Sequence, residues 1–201
     1  MVSEERLSNY PSPELYETNP EQDRKGPGAF RILLEVVQTL AIAVVLYFLI
    51  DFVIARVRVE NISMLPTLQP GEFVLVNKMA YQFGDFERGD IVVFHYSPQE
   101  DYIKRVIGVP GDRIEIENGQ VRVNGQTLDE PYIAAAPQYV GSWDVPEGSL
   151  FVLGDNRNQS SDSHRWGFVF EESVVGEALV VYWPLNEVKL LSQPMMVKAN
   201  N

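Results

Sequence analysis

Two histidines, five lysines and no cysteine bound the chemistry this 201-residue chain can do. Without cysteine there is neither a disulfide nor a thiolate, whether as nucleophile or as metal ligand. A serine hydroxyl needs a base within hydrogen-bond reach to attack at neutral pH. Ser63 is the candidate, in V-E-N-I-S-M-L-P-T-L (Val59–Leu68). A strand-like alternation over Ile54–Ile62 stops there, and Pro66 lacks the N–H a central strand would need. The hydroxyl therefore stands where a strand gives way to a turn and can face a groove.

Histidine is the usual base, and neither one is well placed. His95 lies in an apolar strand, Val92–Tyr96, and reads as a half-buried strand residue. His164 lies in a polar loop, L-G-D-N-R-N-Q-S-S-D-S-H-R-W-G (Leu153–Gly167), and stays open as the alternative base. Among the lysines, Lys25 precedes a long apolar run, Lys189 and Lys198 lie in a polar tail, and Lys78 ends a strand beside Asn77. Lys104 has Tyr102, Ile103, Val106 and Ile107 around it, apolar neighbours on both faces of its strand. Such burial disfavours an ammonium and lowers its pKa. At the reference value of about 10.4, only on the order of 1 in 2,000 lysines is neutral at pH 7. Reaching about 8 takes roughly 3 kcal/mol of differential desolvation, which burial can supply. No G-x-S-x-G, H-E-x-x-H or S-x-x-K pattern occurs.

The elements that must position these residues are mostly short strands. Glu72–Asn77, Asp90–Tyr96 and Tyr102–Val109 are rich in β-branched and aromatic residues and bounded by Pro-Gly or Arg-Gly pairs. Arg113–Glu117, Gln120–Asn124 and Gln126–Leu128 are joined by Asn118-Gly119 and Asn124-Gly125, strong hairpin signals. Leu150–Leu153 and Ala178–Trp183 complete the set. The expectation is an all-β domain of antiparallel sheets folded into a partly closed, barrel-like body. Before it, Leu33–Ile54 forms an apolar run that as a helix would extend about 33 Å, against a hydrocarbon core of about 30 Å. It starts too late and runs too long for a cleavable leader, so an uncleaved anchor is expected. Arg24, Lys25 and Arg31 before it, against Arg56 and Arg58 after, bias the N-terminus slightly toward the inside. Net charge is −12 with no basic cluster, which argues against a nucleic-acid partner.

Three blocks in this order, S-M-L-P-T-L, D-Y-I-K-R-V-I-G-V-P-G-D (Asp101–Asp112) and Leu153–Gly167, behind a membrane anchor, closely resemble type I signal peptidase. That family comprises membrane-bound Ser/Lys proteases that remove signal peptides from exported proteins. The resemblance runs from about Leu33 to Trp183. It implies Ser63 as nucleophile and Lys104 as general base, with no cofactor and no metal. The Ser63 N–H would be the first oxyanion donor. The family often has glycine or a hydroxyl residue two positions earlier; this chain has Asn61, whose amide either donates as well or points away. Ser160 would hydrogen-bond the lysine, Asp155 would pair with Arg105, and Asp162 would brace the loop through a basic partner. Where many relatives have arginine after D-S, this chain has His164 and then Arg165. Val59, Met64, Leu68, Tyr102 and Ile103 would line pockets for small side chains, hence an A-x-A preference. Partners would be signal peptides and the lipid bilayer. The resemblance places the chain in the plasma membrane, single-pass, N-terminus cytoplasmic and catalytic domain outside. The implied division is a flexible tail over 1–31, an anchor over 32–55, a β-rich catalytic domain over 56–188 and a C-terminal tail over 189–201. Two other readings share parts of the pattern: a self-cleaving repressor-type Ser/Lys protease, and a tethered β-domain that only binds extended peptides.

Overall fold

The computed structural model describes residues 28–191. The chain divides into two units, residues 1–46 and 47–201. Among the described residues, the first holds helix α1 (Ala29–Val53), which continues a short way into the second. Its 25 residues include neither glycine nor proline, and none of them is buried. A helix that is apolar all round and unburied needs a non-aqueous surrounding. At about 37 Å it is long enough to cross a bilayer. The helix starts at 29 and ends at 53, where 32–55 was expected; the charges and aromatics that flank a span do not mark its ends sharply.

The second unit holds twelve strands among the described residues, β1 (Ile54–Arg58), β2 (Phe73–Asn77), β3 (Ile91–Ser97), β4 (Glu100–Gly108), β5 (Arg113–Glu117), β6 (Gln120–Val123), β7 (Gln126–Thr127), β8 (Gly141–Asp144), β9 (Ser149–Leu153), β10 (Val169–Phe170), β11 (Val174–Trp183) and β12 (Lys189–Leu190). Two one-turn helices, α2 (Ala80–Phe83) and α3 (Ser163–Trp166), interrupt them. Eight strands form one sheet in the order β1-β2-β11-β3-β4-β9-β10, with β12 on β11. The other four form β7-β6-β5-β8. Every pairing is antiparallel. The all-β class read from the sequence therefore holds, with folded sheets that do not close.

The small sheet shows how directly the pattern sets register. Ile114, Ile116, Val121 and Val123 are buried on one face while Arg113, Glu117, Gln120 and Arg122 are exposed. Asn118 and Asn124 take positive φ (53° and 52°) and are each followed by a positive-φ glycine, the tight-hairpin signature. Other expectations shift. The run Ile54–Ile62 leaves the strand at Arg58, and residues 59–62 swing into the turn that carries Ser63. The expected tail from 189 begins instead with β12, because Leu190 and Lys189 pair with Val180 and Val181. The rest of that tail, and the N-terminal tail up to residue 27, lie outside the described residues.

Among the described residues three apolar clusters sit in this unit, and all three meet at β4, which gives Ile103, Ile107 and Val106 to one each. Val59, Met64, Leu68, Val93 and Ile103 belong to one, and Val92, Phe94, Val106 and Val152 to another. Strand β4 is buried continuously from Ile103 to Gly108. Lys104 is thus inserted into the interior by its own strand, opposite Val92 of β3.

Candidate active site

The turn that presents Ser63 is anchored by apolar side chains on either side of it. Val59, Met64 and Leu68 are all buried, and Leu68 N–H closes a helical turn on Met64 O at 2.8 Å. Burying Met64 and Leu68 is worth roughly 1.5–3 kcal/mol each, enough to hold the turn in one conformation. Ser63 itself is 6% exposed.

Lys104 Nζ donates to Ser63 Oγ at 2.8 Å and to Ile103 O at 3.0 Å. With Lys104 only 2% exposed, burial pulls its pKa down to about 8, against the opposing pull of Asp162 and Asp155. Both carboxylates are largely spent elsewhere. Asp155 takes the two-pronged guanidinium of Arg105 at 2.8 and 2.7 Å and also accepts from Thr67 Oγ1. Asp162 accepts from Gly154 N–H at 2.9 Å, from His164 N–H at 3.3 Å and, at 2.5 Å, from His164 Nδ1. Desolvation therefore wins. At pH 7 a group of pKa about 8 is neutral in roughly one molecule in ten, some two hundred times more often than at the reference value.

His164 occupies the place where the expected arginine would brace Asp162. Its Nδ1 faces Asp162, its Nε2 accepts from Arg165 Nε at 3.2 Å, and its ring stacks on Tyr139 at 3.9 Å. Both nitrogens are engaged away from Ser63. His95 is exposed, not half-buried as expected: it sits next to the turn of the β3–β4 hairpin, 2.6 Å from Asp101.

Two expected contacts turn out differently. Asn61 does not present its NH2 to Ser63. Its Oδ1 accepts from Ser63 Oγ at 2.7 Å and from Ser63 N–H at 3.2 Å, because both groups at that point are donors. Ser160 Oγ is buried and has no hydrogen-bond partner, so it does not bond Lys104 here. It packs instead against Gly154, where an added Cβ would lie 2.3 Å from Ser160 Oγ and 2.4 Å from Ser63 O. Only glycine lets this loop close on the serine.

A groove of about 330 Å³ runs past the site, with Val57, Val59, Asn61, Tyr102 and Ile103 in its walls. Residues 100–104 of β4 pair with β3 on one side only, since β9 joins from Arg105 onward. That leaves a strand edge free for an extended peptide. Of the expected pocket residues, Val59, Tyr102 and Ile103 line this groove. Met64 and Leu68 do not; both are fully buried in the core beneath the turn.

One residue absent from the sequence-based candidates touches the turn that carries Ser63 directly. Asn156 N–H donates to Ser63 O at 3.0 Å, and its Nδ2 donates to Ile62 O at 3.1 Å. Nothing in a loop already crowded with Asn, Asp and Arg marks it out. One of its partners, Ile62, lies 94 positions away in the chain.

A hydroxyl with an amine on it, beside an edge that accepts extended backbone, suits one kind of chemistry: attack on a peptide carbonyl with an amine in the role an imidazole usually fills. The class is that of the serine endopeptidases. Residues 33–183 match the family described as signal peptidase, peptidase S26. Signal peptidase I of Leptolyngbya laminosa is 40% identical over 198 residues, covering 93% of this chain and 97% of the relative. Probable signal peptidase I-2 of Synechocystis sp. is 44% identical over 168 residues, covering 79% and 77%. Signal peptidase IB of Staphylococcus aureus is 37% identical over 186 residues, covering 83% and 97%. This chain belongs to the signal peptidase family, peptidase S26. It is a serine endopeptidase that removes signal peptides from preproteins.

Proposed function

We propose that Ser63 is the nucleophile and Lys104 the general base of this endopeptidase. The observation that carries the reading is the 2.8 Å contact between Lys104 Nζ and Ser63 Oγ, in a site whose burial shifts the amine toward its neutral form. The neutral amine takes the Ser63 proton as Oγ attacks the scissile carbonyl. The resulting ammonium then protonates the departing amine, and water repeats the sequence to release the acyl group from Ser63. The Ser63 N–H donates to the oxyanion once the substrate's carbonyl displaces Asn61 Oδ1 from it. The Arg105–Asp155 pair and the Asp162–His164 pair keep two carboxylates from restoring the ammonium's normal pKa.

The substrate lies extended along the free edge of β4 and the segment 57–61, with small side chains before the cut, the A-x-A pattern. Val59, Tyr102 and Ile103 bound the space available to them. Helix α1 tethers residues 54–191, the catalytic body, to the membrane, with the N-terminus cytoplasmic and the body outside. Arg24 and Lys25 before the helix and Arg31 in its first turn support that direction. The excess of acidic charge speaks against nucleic acid as a partner.

The test is mass-spectrometric cleavage of a preprotein by the full chain in detergent. A single cut after A-x-A, lost in Ser63→Ala and in Lys104→Ala and no worse in the double variant, is expected. A Lys104→Ala enzyme of near-normal turnover contradicts the assignment.

A further inference from the structure

We propose that Asn156 is the residue that aims the oxyanion donor, acting through the peptide plane between Ile62 and Ser63. This rests on the reading of Ser63 as nucleophile and adds a positioning residue to it.

The reasoning starts from a property of the trans peptide unit: its C=O and N–H point in opposite directions in one rigid plane. The Ile62–Ser63 bond is trans. Whatever holds the Ile62 carbonyl therefore sets the direction of the Ser63 N–H. The Asn156 amide holds that carbonyl, with Nδ2 3.1 Å from Ile62 O. The second Nδ2 hydrogen goes to Gln159 Oε1 at 3.3 Å, so two acceptors fix which end of the amide carries the hydrogens. The backbone N–H of Asn156 adds a third tie, to Ser63 O at 3.0 Å.

On the other side of the plane the Ser63 N–H points at Asn61 Oδ1, 3.2 Å away. Asn61 is a wall of the groove, so the donor faces the side on which substrate arrives. Asn156 itself is no part of the groove wall, and it reaches Ser63 only through backbone oxygens. It makes no bond to Lys104. Its effect falls on charge stabilisation in the transition state and leaves substrate binding and the base alone.

Gly154 and Arg157 fix Asn156 in turn. Gly154 packs with no room for a Cβ between Ser63 O and Ser160, and buried Arg157 donates from Nε to Gly154 O at 3.1 Å. Asn156 thus hangs from a loop that cannot slide relative to the nucleophile.

The experiment compares wild type with Asn156→Ala in the full chain in detergent, using a preprotein substrate and a tripeptide boronic acid ending in alanine. The boronate oxygen takes the oxyanion position once Ser63 adds to boron. Asn156→Ala is expected to lower kcat by about 10- to 100-fold, since it misaligns the oxyanion donor without removing it, whereas outright loss costs about 10²–10³-fold. KM and the apparent pKa of kcat stay within error of wild type. Boronate affinity falls by the same factor as kcat/KM, while affinity for the free-acid product peptide does not change. Asn156→Gln, which retains an NH2, recovers part of the loss. Asn156→Leu keeps the volume and cannot donate, and carries the same test if the alanine variant does not fold. Full activity in Asn156→Ala and Asn156→Leu overturns the inference. So does a loss confined to KM, or a shifted apparent pKa, which would mean that Asn156 acts through the groove or through Lys104. Cleavage by Ser63→Ala would instead sink the assignment of the nucleophile, and the two failures are told apart by that control.

Discussion

Replacing Lys104 by methionine should abolish cleavage and yet stabilise the protein below pH 8. The folded-state pKa is about 8 and the unfolded-state value 10.5, because burial opposes the ammonium. Between those values the unfolded chain holds a proton that the folded one has released, so stability rises with pH there. Below pH 8 the folded protein carries a charge its surroundings disfavour, at a cost of about 3 kcal/mol. By pH 9.5 that cost has fallen to about 1 kcal/mol. Methionine never carries the charge, but it forfeits the bonds from Nζ to Ser63 Oγ and Ile103 O, each worth about 1 kcal/mol at any pH. The variant should therefore be more stable than wild type by about 1 kcal/mol at pH 6 and less stable by about 1 kcal/mol at pH 9.5. Urea unfolding in detergent, read by tryptophan fluorescence, measures the gap. Trp143, Trp166 and Trp183 are the chain's three tryptophans and all lie outside α1, so the signal reports the β-rich body. A gap that stays within about 0.5 kcal/mol between pH 6 and pH 9.5 would refute a depressed Lys104 pKa.

Three further outcomes follow from the same geometry. Gly154→Ala places a methyl group 2.3 Å from Ser160 Oγ and 2.4 Å from Ser63 O, so kcat should drop about 10²-fold or more; an alanine variant of ordinary turnover would mean the loop can move away. Asn61→Gly frees the Ser63 N–H from a competing acceptor and should leave kcat within about threefold of wild type, whereas a loss of 10² in steady-state assays would show that the Asn61 amide turns over and donates. His164→Phe keeps the stack on Tyr139 but leaves buried Asp162 short of a partner, which should cost about 1–3 kcal/mol in thermal or urea unfolding while cleavage persists; loss of all activity in a folded His164→Phe would restore histidine as the base.

How much of this could be read from residues alone differs from group to group. Ser63 and Lys104 did not stand out from their neighbours alone, since a serine beside a proline turn and a lysine in an apolar strand are ordinary features; the three ordered blocks together singled them out. The hairpins at Asn118-Gly119 and Asn124-Gly125 were legible because positive φ selects those residues. Strand β8, Gly141–Asp144, was not: its alternation of small, aromatic and acidic residues becomes a strand only because β5 offers an edge. Lys189 and Leu190 looked like tail for the same reason, since their partners Val180 and Val181 are supplied by the sheet. Met64 and Leu68, expected as pocket walls, instead anchor the turn that carries Ser63 from beneath, where both are fully buried. Asn61 shows the limit most plainly. Its type allowed a donor or an acceptor, and the choice depends on two donors of Ser63 that only the folded turn brings within reach.

The most direct test of the account is the pH dependence of the single-turnover acylation of Ser63, measured for wild type and Lys104→Ala under conditions where chemistry limits. With Lys104 as base, the wild-type rate climbs about tenfold per pH unit below its pKa and levels off near the value of about 8 set by burial, and the alanine variant shows neither the rate nor the titration. A wild-type profile flat from pH 6 to pH 10, or a Lys104→Ala enzyme that acylates within tenfold of wild type, would contradict it.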